Sequence, residues 1–243
     1  MKKLISIIIV LAFTLSCAAV FSPQDVKMLL NDIKGSQEKI KDMQADVQIN
    51  VTAKILIEGK ETTQKQTSKG RIYSKRPNKF RLETTSPMEQ TTIMNGDKMA
   101  LINKTTGQKM VQDLKKLREQ SGLTQGEEMD ITKSMERFDL KITNKTDKEI
   151  VLTGTPKEPN KFLGKMVFVL DAKNRVPIRI TAYNPNGGLI SYSTLQYKNI
   201  SGINVLEKNV TEVTSPYGSS KSGTEFKNIK INQGLSDKLF EIE

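Results

Sequence analysis

Ala45-Asp46-Val47-Gln48-Ile49-Asn50-Val51-Thr52-Ala53-Lys54-Ile55-Leu56-Ile57-Glu58 decides the fold of this chain. Every odd position from Ala45 to Ile57 is apolar, and the even positions are polar apart from Leu56. Side chains alternate across a strand, so this period of two predicts one long strand with a buried face and a wet face. Such a strand needs neighbours. Gly59-Lys60 turns the chain, and the Thr- and Gln-rich run from Glu61 to Ser74 reads as its antiparallel partner.

Working outward, Gly70-Arg71-Ile72-Tyr73-Ser74-Lys75-Arg76-Pro77-Asn78-Lys79-Phe80-Arg81-Leu82-Glu83 reads as two β-segments meeting at a proline corner. Pro77 has no backbone donor, fixes its own φ and pushes Arg76 toward an extended conformation at the end of a strand. Asn78 continues the turn. Beyond it, Phe80 and Leu82 alternate with Lys79, Arg81 and Glu83, again the pattern of a strand with one apolar face. On physics alone, Arg76 is a basic residue at an ordinary sheet corner.

Before the long strand, Ser22-Pro23-Gln24-Asp25 is a helix start: Ser as N-cap, Pro at the first helical position, and an acid three residues after the cap. Val26, Leu29, Leu30 and Ile33 follow at helical spacing, and Ile40 and Met43 extend the stripe, giving a helix over Pro23 to Met43. Gly35 falls off that face. After the corner, Asn95-Gly96 between Thr91-Met94 and Lys98-Ile102 marks a hairpin. Met110, Val111, Leu114 and Leu117 predict a charged amphipathic helix ending near Gly122. A second short helix carries Ile131, Met135 and Phe138, with Glu127, Glu128 and Asp130 as acids complementing its N-terminal dipole. Strands return at Phe138-Ile142, Glu149-Thr155, Lys165-Leu170, Val176-Tyr183, Leu189-Tyr197, Asn204-Val213 and Glu225-Ile231. Asp171-Ala172-Lys173-Asn174 and Asn184-Pro185-Asn186-Gly187-Gly188 are turn-like separators. Ser215 to Gly223 reads as a loose hairpin loop.

The expected fold is therefore mainly β (α+β): an antiparallel meander of about ten or eleven strands, an N-terminal helix, and a helical insertion covering one face. A sheet of that size tends to curl. A curled, helix-capped sheet encloses an apolar cavity of a scale that suits a hydrophobic ligand.

Lys2 and Lys3, the apolar run Leu4–Leu15 and the small residues Ser16, Ala18 and Ala19 form a secretory signal over residues 1–19, leaving 20–243 as one domain. The apolar run is too short for a bilayer, which takes about 20 residues. Cleavage after Ala18 or Ala19 releases a soluble protein; lipidation of Cys17 is the rival outcome. Cys17 is the only cysteine, so the mature domain has no disulfide or thiolate chemistry. The formal charge of +11 fits anionic lipid headgroups or acidic protein partners, and equally a well-solvated surface; export argues against nucleic acid.

The chain contains no His and no Trp. Absence of His removes Ser-His-Asp and Cys-His catalysis and the commonest metal ligand. No nucleophile elbow, phosphate loop or dinucleotide fingerprint appears. Neither a cofactor nor a metal site is expected. A binding module remains, and Met94, Met99, Met110, Met129 and Met135 are suited to an adaptable apolar surface, or equally to filling a core.

Lys75-Arg76-Pro77-Asn78-Lys79-Phe80 resembles the KRPNxF signature of the LolA/LolB-like carriers of outer-membrane lipoproteins. The order of elements matches through most of the mature chain, including the Gly-containing hairpin Ile93–Lys98 and the ending Leu239-Phe240-Glu241-Ile242-Glu243. The resemblance implies an unclosed β-barrel with a helical lid over an acyl-binding cavity. It implies that Val47, Ile49, Val51, Phe80, Leu82, Met94, Met99, Leu101 and Met135 line that cavity, and that Arg76 latches the lid. It further implies a monomeric periplasmic carrier of acylated lipoproteins or lipids, with an inner-membrane donor complex and an outer-membrane acceptor. The alternative is a membrane-anchored lipid-binding acceptor or envelope-stress sensor of the same fold. The chain departs from the family where Met99, Ala100, Leu101 and Ile102 replace aromatics, and its middle segment is longer and more charged.

Overall fold

The computed structural model describes residues 21–57, 60–115, 131–216 and 218–242. The expected leader, Cys17, the expected Gly59 turn, Leu117, Gly122, Glu127–Asp130 and Met129 lie outside these residues. Helix α1 (Pro23–Glu38) leads into β1 (Asp42–Ile57), β2 (Lys60–Lys75), β3 (Lys79–Ser86), β4 (Gln90–Asn95), β5 (Lys98–Asn103) and β6 (Lys109–Asp113). A short helix α2 (Ile131–Met135) precedes β7 (Phe138–Lys145), β8 (Glu149–Pro156), β9 (Lys165–Asp171), β10 (Pro177–Tyr183), β11 (Leu189–Ile200), β12 (Ile203–Ser215) and β13 (Gly218–Ile231). A 3-10 turn at Asp237–Phe240 closes the described chain.

All thirteen strands form one antiparallel sheet in the order β6-β5-β4-β3-β2-β1-β13-β12-β11-β10-β9-β8-β7. Two meanders are zipped together by β1 against β13, and the barrel is left open between β6 and β7. The expectation of ten or eleven strands is corrected to thirteen. Seven strands after the helical middle agree with the sequence reading; the extra ones come before it. Met110 and Val111 lie in β6, paired with Leu101 and Ala100, and not in a helix. A ladder to β5 outweighs a weak helical stripe. The stretch read as a loose loop is strand from Gly218 on, because β1 and β12 bond it from both sides.

α1 starts as read: Ser22 Oγ accepts from Asp25 N, and the Asp25 carboxylate accepts from Ser22 N at 2.7 Å. Donation from the Ser22 N–H, and then from the Ser22 hydroxyl, holds the Asp25 carboxyl below the usual carboxylate range. Val26, Leu29 and Ile33 are buried. Gly35 stays within the helix with open space beside it. The helix stops at Glu38, so Ile40 and Met43 do not extend it; the period-two pattern has taken over by Asp42.

The core has two centres. Under α1, Val26, Leu29 and Ile33 pack with Met135, Ile150, Leu152, Phe168 and Leu170. Around β1, Ala45, Val47 and Ile72 pack with Phe80, Leu82 and Phe226. Register carries both onto one face of the sheet, the helix-bearing face. No described helix is long and apolar enough to cross a membrane.

Candidate functional site

On the helix-bearing face, the ladder from β1 to β5 builds an apolar wing. Val47, Ile49 and Val51 stand opposite Gly70, Ser68 and Gln66 of β2. Ile72 pairs with Leu82, Leu82 with Thr92, and Thr92 with Leu101. Phe80 pairs with Met94, and Met94 with Met99. The structure thus brings eight of the expected residues onto one surface. Val47 is buried there and the other seven are only half-buried, so among the described residues the wing is an open surface. Phe226 and Ile72, which the sequence does not single out, join it, and so does Met110, which the sequence offers for an apolar surface but places in a helix. For Met110 the signal was its strand pairing, hidden by an apparent helical stripe.

Met135 is not part of this surface. It is fully buried beneath α1 with Ile150, Leu152 and Phe168, and serves as core. Its helical spacing put it on an apolar face, but which apolar cluster received it was a tertiary choice. The expected lid is only partly described: α2 packs on the α1 core, and residues 116–130 lie outside the described residues.

Between the wing and the α1 core the same face turns polar. Ile49 pairs with Thr224 and Val51 with Ser222; these pair with Asn209 and Thr211 of β12, and Thr211 with Ser193 of β11. The Ser193 and Thr211 hydroxyls are 2.9 Å apart, and Thr211 Oγ1 donates to Asn209 Oδ1 at 3.4 Å. A hydroxyl strip therefore borders a hydrocarbon-like surface, a division that suits an amphiphile.

The proline corner faces both ways. Its even residues, Phe80 and Leu82, join the apolar wing, while Lys75, Lys79 and Arg81 hold the C-terminal tail on the opposite face. Lys75 Nζ donates to the Leu235 carbonyl and to Asp237 at 2.7 Å, and Lys79 Nζ lies 3.0 Å from Asp237. Arg81 donates to the Leu239 carbonyl and Asn95 to that of Phe240. Phe240 is fully buried, with its 3-10 turn against β3 and β4. Hydrogen bonds from Lys75, and then Lys79, hold the Asp237 carboxyl below the usual range.

Arg76 lies in the turn, one residue past β2, and is exposed. Its backbone N–H donates to the Lys41 carbonyl at 2.9 Å and its Nε to the Ile40 carbonyl at 3.1 Å. It thereby grips the linker between α1 and β1. Beside it, the buried Asp42 carboxylate accepts from the N–H groups of Gln233, Gly234 and Leu235. The corner, the helix root and the tail form one junction at this end of the sheet.

Two other concavities are less apt for hydrocarbon. One of about 500 Å³, on the tail-bearing face, is lined by Asp46, Arg71, Glu83, Glu225 and Lys227. There Asn228, and then Arg71, hold the Asp46 carboxyl below its usual range. Another of about 510 Å³ lies beside α1, between Met28 and Ile142, with Asp25, Lys145 and Arg175 at its margins. Among the described residues, no cluster of three or more acidic or thiol groups is placed to hold a metal ion.

Residues 56–206 match the family model described as outer membrane lipoprotein carrier protein LolA. Solved structures share the fold at low identity. A DUF1329 family protein from Desulfovibrio piger has a TM-score of 0.63 at 15% identity, covering 89% of this chain and 97% of that one. An outer membrane lipoprotein-sorting protein domain from Vibrio parahaemolyticus has a TM-score of 0.61 at 15% identity, covering 88% and 94%. A LolA superfamily protein from Nitrosomonas europaea has a TM-score of 0.59 at 17% identity, covering 89% and 97%. No curated protein matches the chain.

Proposed function

The chain belongs to the LolA family of outer membrane lipoprotein carrier proteins, and from that premise we propose that it is a periplasmic carrier of acyl chains. It would take up lipoproteins or lipids on the apolar wing and pass them toward the outer membrane without catalysing a reaction. The observation that carries this reading is the half-buried, largely apolar surface to which Ile49, Val51, Phe80, Leu82, Met94, Met99 and Leu101 contribute on one face of an open sheet.

The energetics explain the need for it. Each CH₂ costs about 0.8 kcal/mol in water, so a chain of about fifteen costs on the order of 12 kcal/mol. A carrier must offset most of that cost and still let go. The hydroxyl strip on β11–β13 would receive the polar part of the cargo while the tails lie on β1–β5. Arg76 is the proposed latch. It holds the root of α1 through carbonyls, and charge-assisted hydrogen bonds of about 1.5–3 kcal/mol are small enough to switch when cargo enters. In this reading the protein works as a monomer between an inner-membrane donor and an outer-membrane acceptor.

The test is binding of an anilinonaphthalene dye to the purified protein, its displacement by fatty acid, and identification of co-purifying lipid. Displacement is expected for wild type, with about tenfold or greater loss of affinity in a Met94→Glu/Leu101→Glu variant, since each buried apolar side chain is worth about 1.5–3 kcal/mol. A wild-type protein that takes up neither dye nor fatty acid would refute the reading.

Leu15-Ser16-Cys17 favours one second reading, the same lipid-binding domain anchored at Cys17 as an acceptor or sensor. Mass spectrometry of the mature N-terminus separates the two: a diacylglycerol adduct on Cys17 selects the anchored form.

A further inference from the structure

The loop between β8 and β9 carries Phe162, which is 82% exposed. Singly exposed apolar residues are ordinary, but this one is held out by the backbone around it. Asn160 Oδ1 accepts from the N–H groups of Phe162 and Leu163 at 2.8 and 3.0 Å, fixing the turn that presents the ring. The loop is rooted at both ends, by Lys157 N donating to the Arg137 carbonyl and by Gly164 N donating to the Tyr183 carbonyl at 2.8 Å. Gly164 lies so close to Asn184 and Pro185 that no side chain fits there, which packs this loop against the β10–β11 hairpin.

The surroundings select the partner. Lys157, Lys161 and Lys165 flank Phe162 in sequence, with Glu158 the one acid between residues 157 and 165. Lys165 Nζ sits 4.6 Å from the centre of the Tyr183 ring, and no described acidic side chain pairs with Lys157 or Lys161. Lys165 pairs with Tyr183 across the sheet, and Tyr183 with Leu189, which is itself 51% exposed. At the same end of the sheet, Leu56 near the tip of β1 is also 51% exposed. An exposed aromatic ring on a loop fixed by its own hydrogen bonds, with three lysines within five residues of it in sequence, matches the interface of an anionic bilayer, where rings settle among headgroups and each nearby Lys adds about 1 kcal/mol of attraction.

We propose that this end of the molecule docks on an anionic lipid bilayer, with Phe162 entering the headgroup layer and Lys157 and Lys161 resting on lipid phosphates. The inference goes beyond cargo binding and does not require it: the docking loop lies on the far half of the sheet from the apolar wing. It gives the protein a defined end to present to a membrane.

Because the chain has no tryptophan, Phe162→Trp makes a single reporter at the contact. Mixed with vesicles of phosphatidylglycerol and phosphatidylethanolamine, full-length mature Phe162→Trp should shift its emission to the blue and be quenched by brominated lipid. Neither should occur with phosphatidylcholine vesicles or with soluble glycerophosphate, and high salt should reverse both. Phe162→Ser and Lys157→Glu/Lys161→Glu should each lower sedimentation with anionic vesicles about tenfold or more, while displacement of dye by fatty acid stays at the wild-type level. The proposal is overturned if the protein ignores anionic vesicles, if a soluble phosphate reproduces the shift, or if the Phe162→Trp protein sediments with vesicles while its indole emission stays that of a water-exposed ring. Loss of dye binding with vesicle docking intact would count against the carrier reading alone.

Discussion

Two methionines separate packing from binding at the level of single residues. Met135 is enclosed by Ile150, Leu152 and Phe168, whereas Met94 is half-buried on the open wing. Met135→Ala should therefore cost about 2–5 kcal/mol of stability through lost transfer energy and a residual cavity, read by denaturant unfolding, with dye affinity unchanged. Met94→Ser should do the reverse, weakening dye and fatty-acid binding with little change in the unfolding midpoint. Asp42 is the second informative residue. Its carboxylate satisfies three backbone N–H groups of the tail in a buried site, so Asp42→Ala should cost about 1–3 kcal/mol for the donors it orphans. Period two made Val47, Ile49, Val51, Phe80 and Leu82 legible as one surface, because alternation fixes the face before any partner is known. It could not place Met135, whose helical spacing says only that some apolar cluster receives it, nor Asp42, whose partners lie about 190 residues away.

Among the elements, the C-terminal tail has an attachment that titrates. Lys75 and Lys79 lower the Asp237 carboxyl, so its contribution is fully present above the ordinary carboxylate range near pH 3.9 and is lost as pH falls through the lowered value. Protection of the amides across 235–241, taken relative to their intrinsic exchange rate at each pH, should consequently fall below about pH 4, and Asp237→Asn should show that lower protection at neutral pH. Phe240→Ala should release the same segment at any pH, because the buried ring anchors the 3-10 turn independently of the Asp237 pairs. The basic run Lys75, Lys79, Arg81 was visible in the sequence, and so was the terminal Phe. What joined them was not, since nothing local tells a cation that its partner sits about 160 residues onward. Of the misread elements, one shares that cause and one does not. The Ser- and Gly-rich start of β13 imitates a loop yet is fixed by its ladder to β1, more than 160 residues earlier, whereas β6 imitates a helical stripe and is fixed by its hairpin partner β5.

For the whole molecule, the decisive contact is β1 with β13, which turns two meanders into one sheet and carries the proposed ligand surface from one half toward the other. The sequence predicted the meanders from their turns, and the family resemblance supplied the open barrel. A pairing such as Asn50 with Gly223 has no local signature. Because the wing belongs to this continuous ladder, a ligand bound there should stabilise the whole sheet by mass action. Fatty acid at about 100 times its dissociation constant adds about 2.7 kcal/mol. For a domain of this length each kcal/mol is worth about 2–4 °C, so wild-type Tm should rise by roughly 5–10 °C. Phe162→Ser should show the same rise, its loop being outside the wing, and Met94→Glu/Leu101→Glu should show almost none. A Met94→Glu/Leu101→Glu protein that gained the full shift would move the acyl site off β4 and β5, to the concavity beside α1.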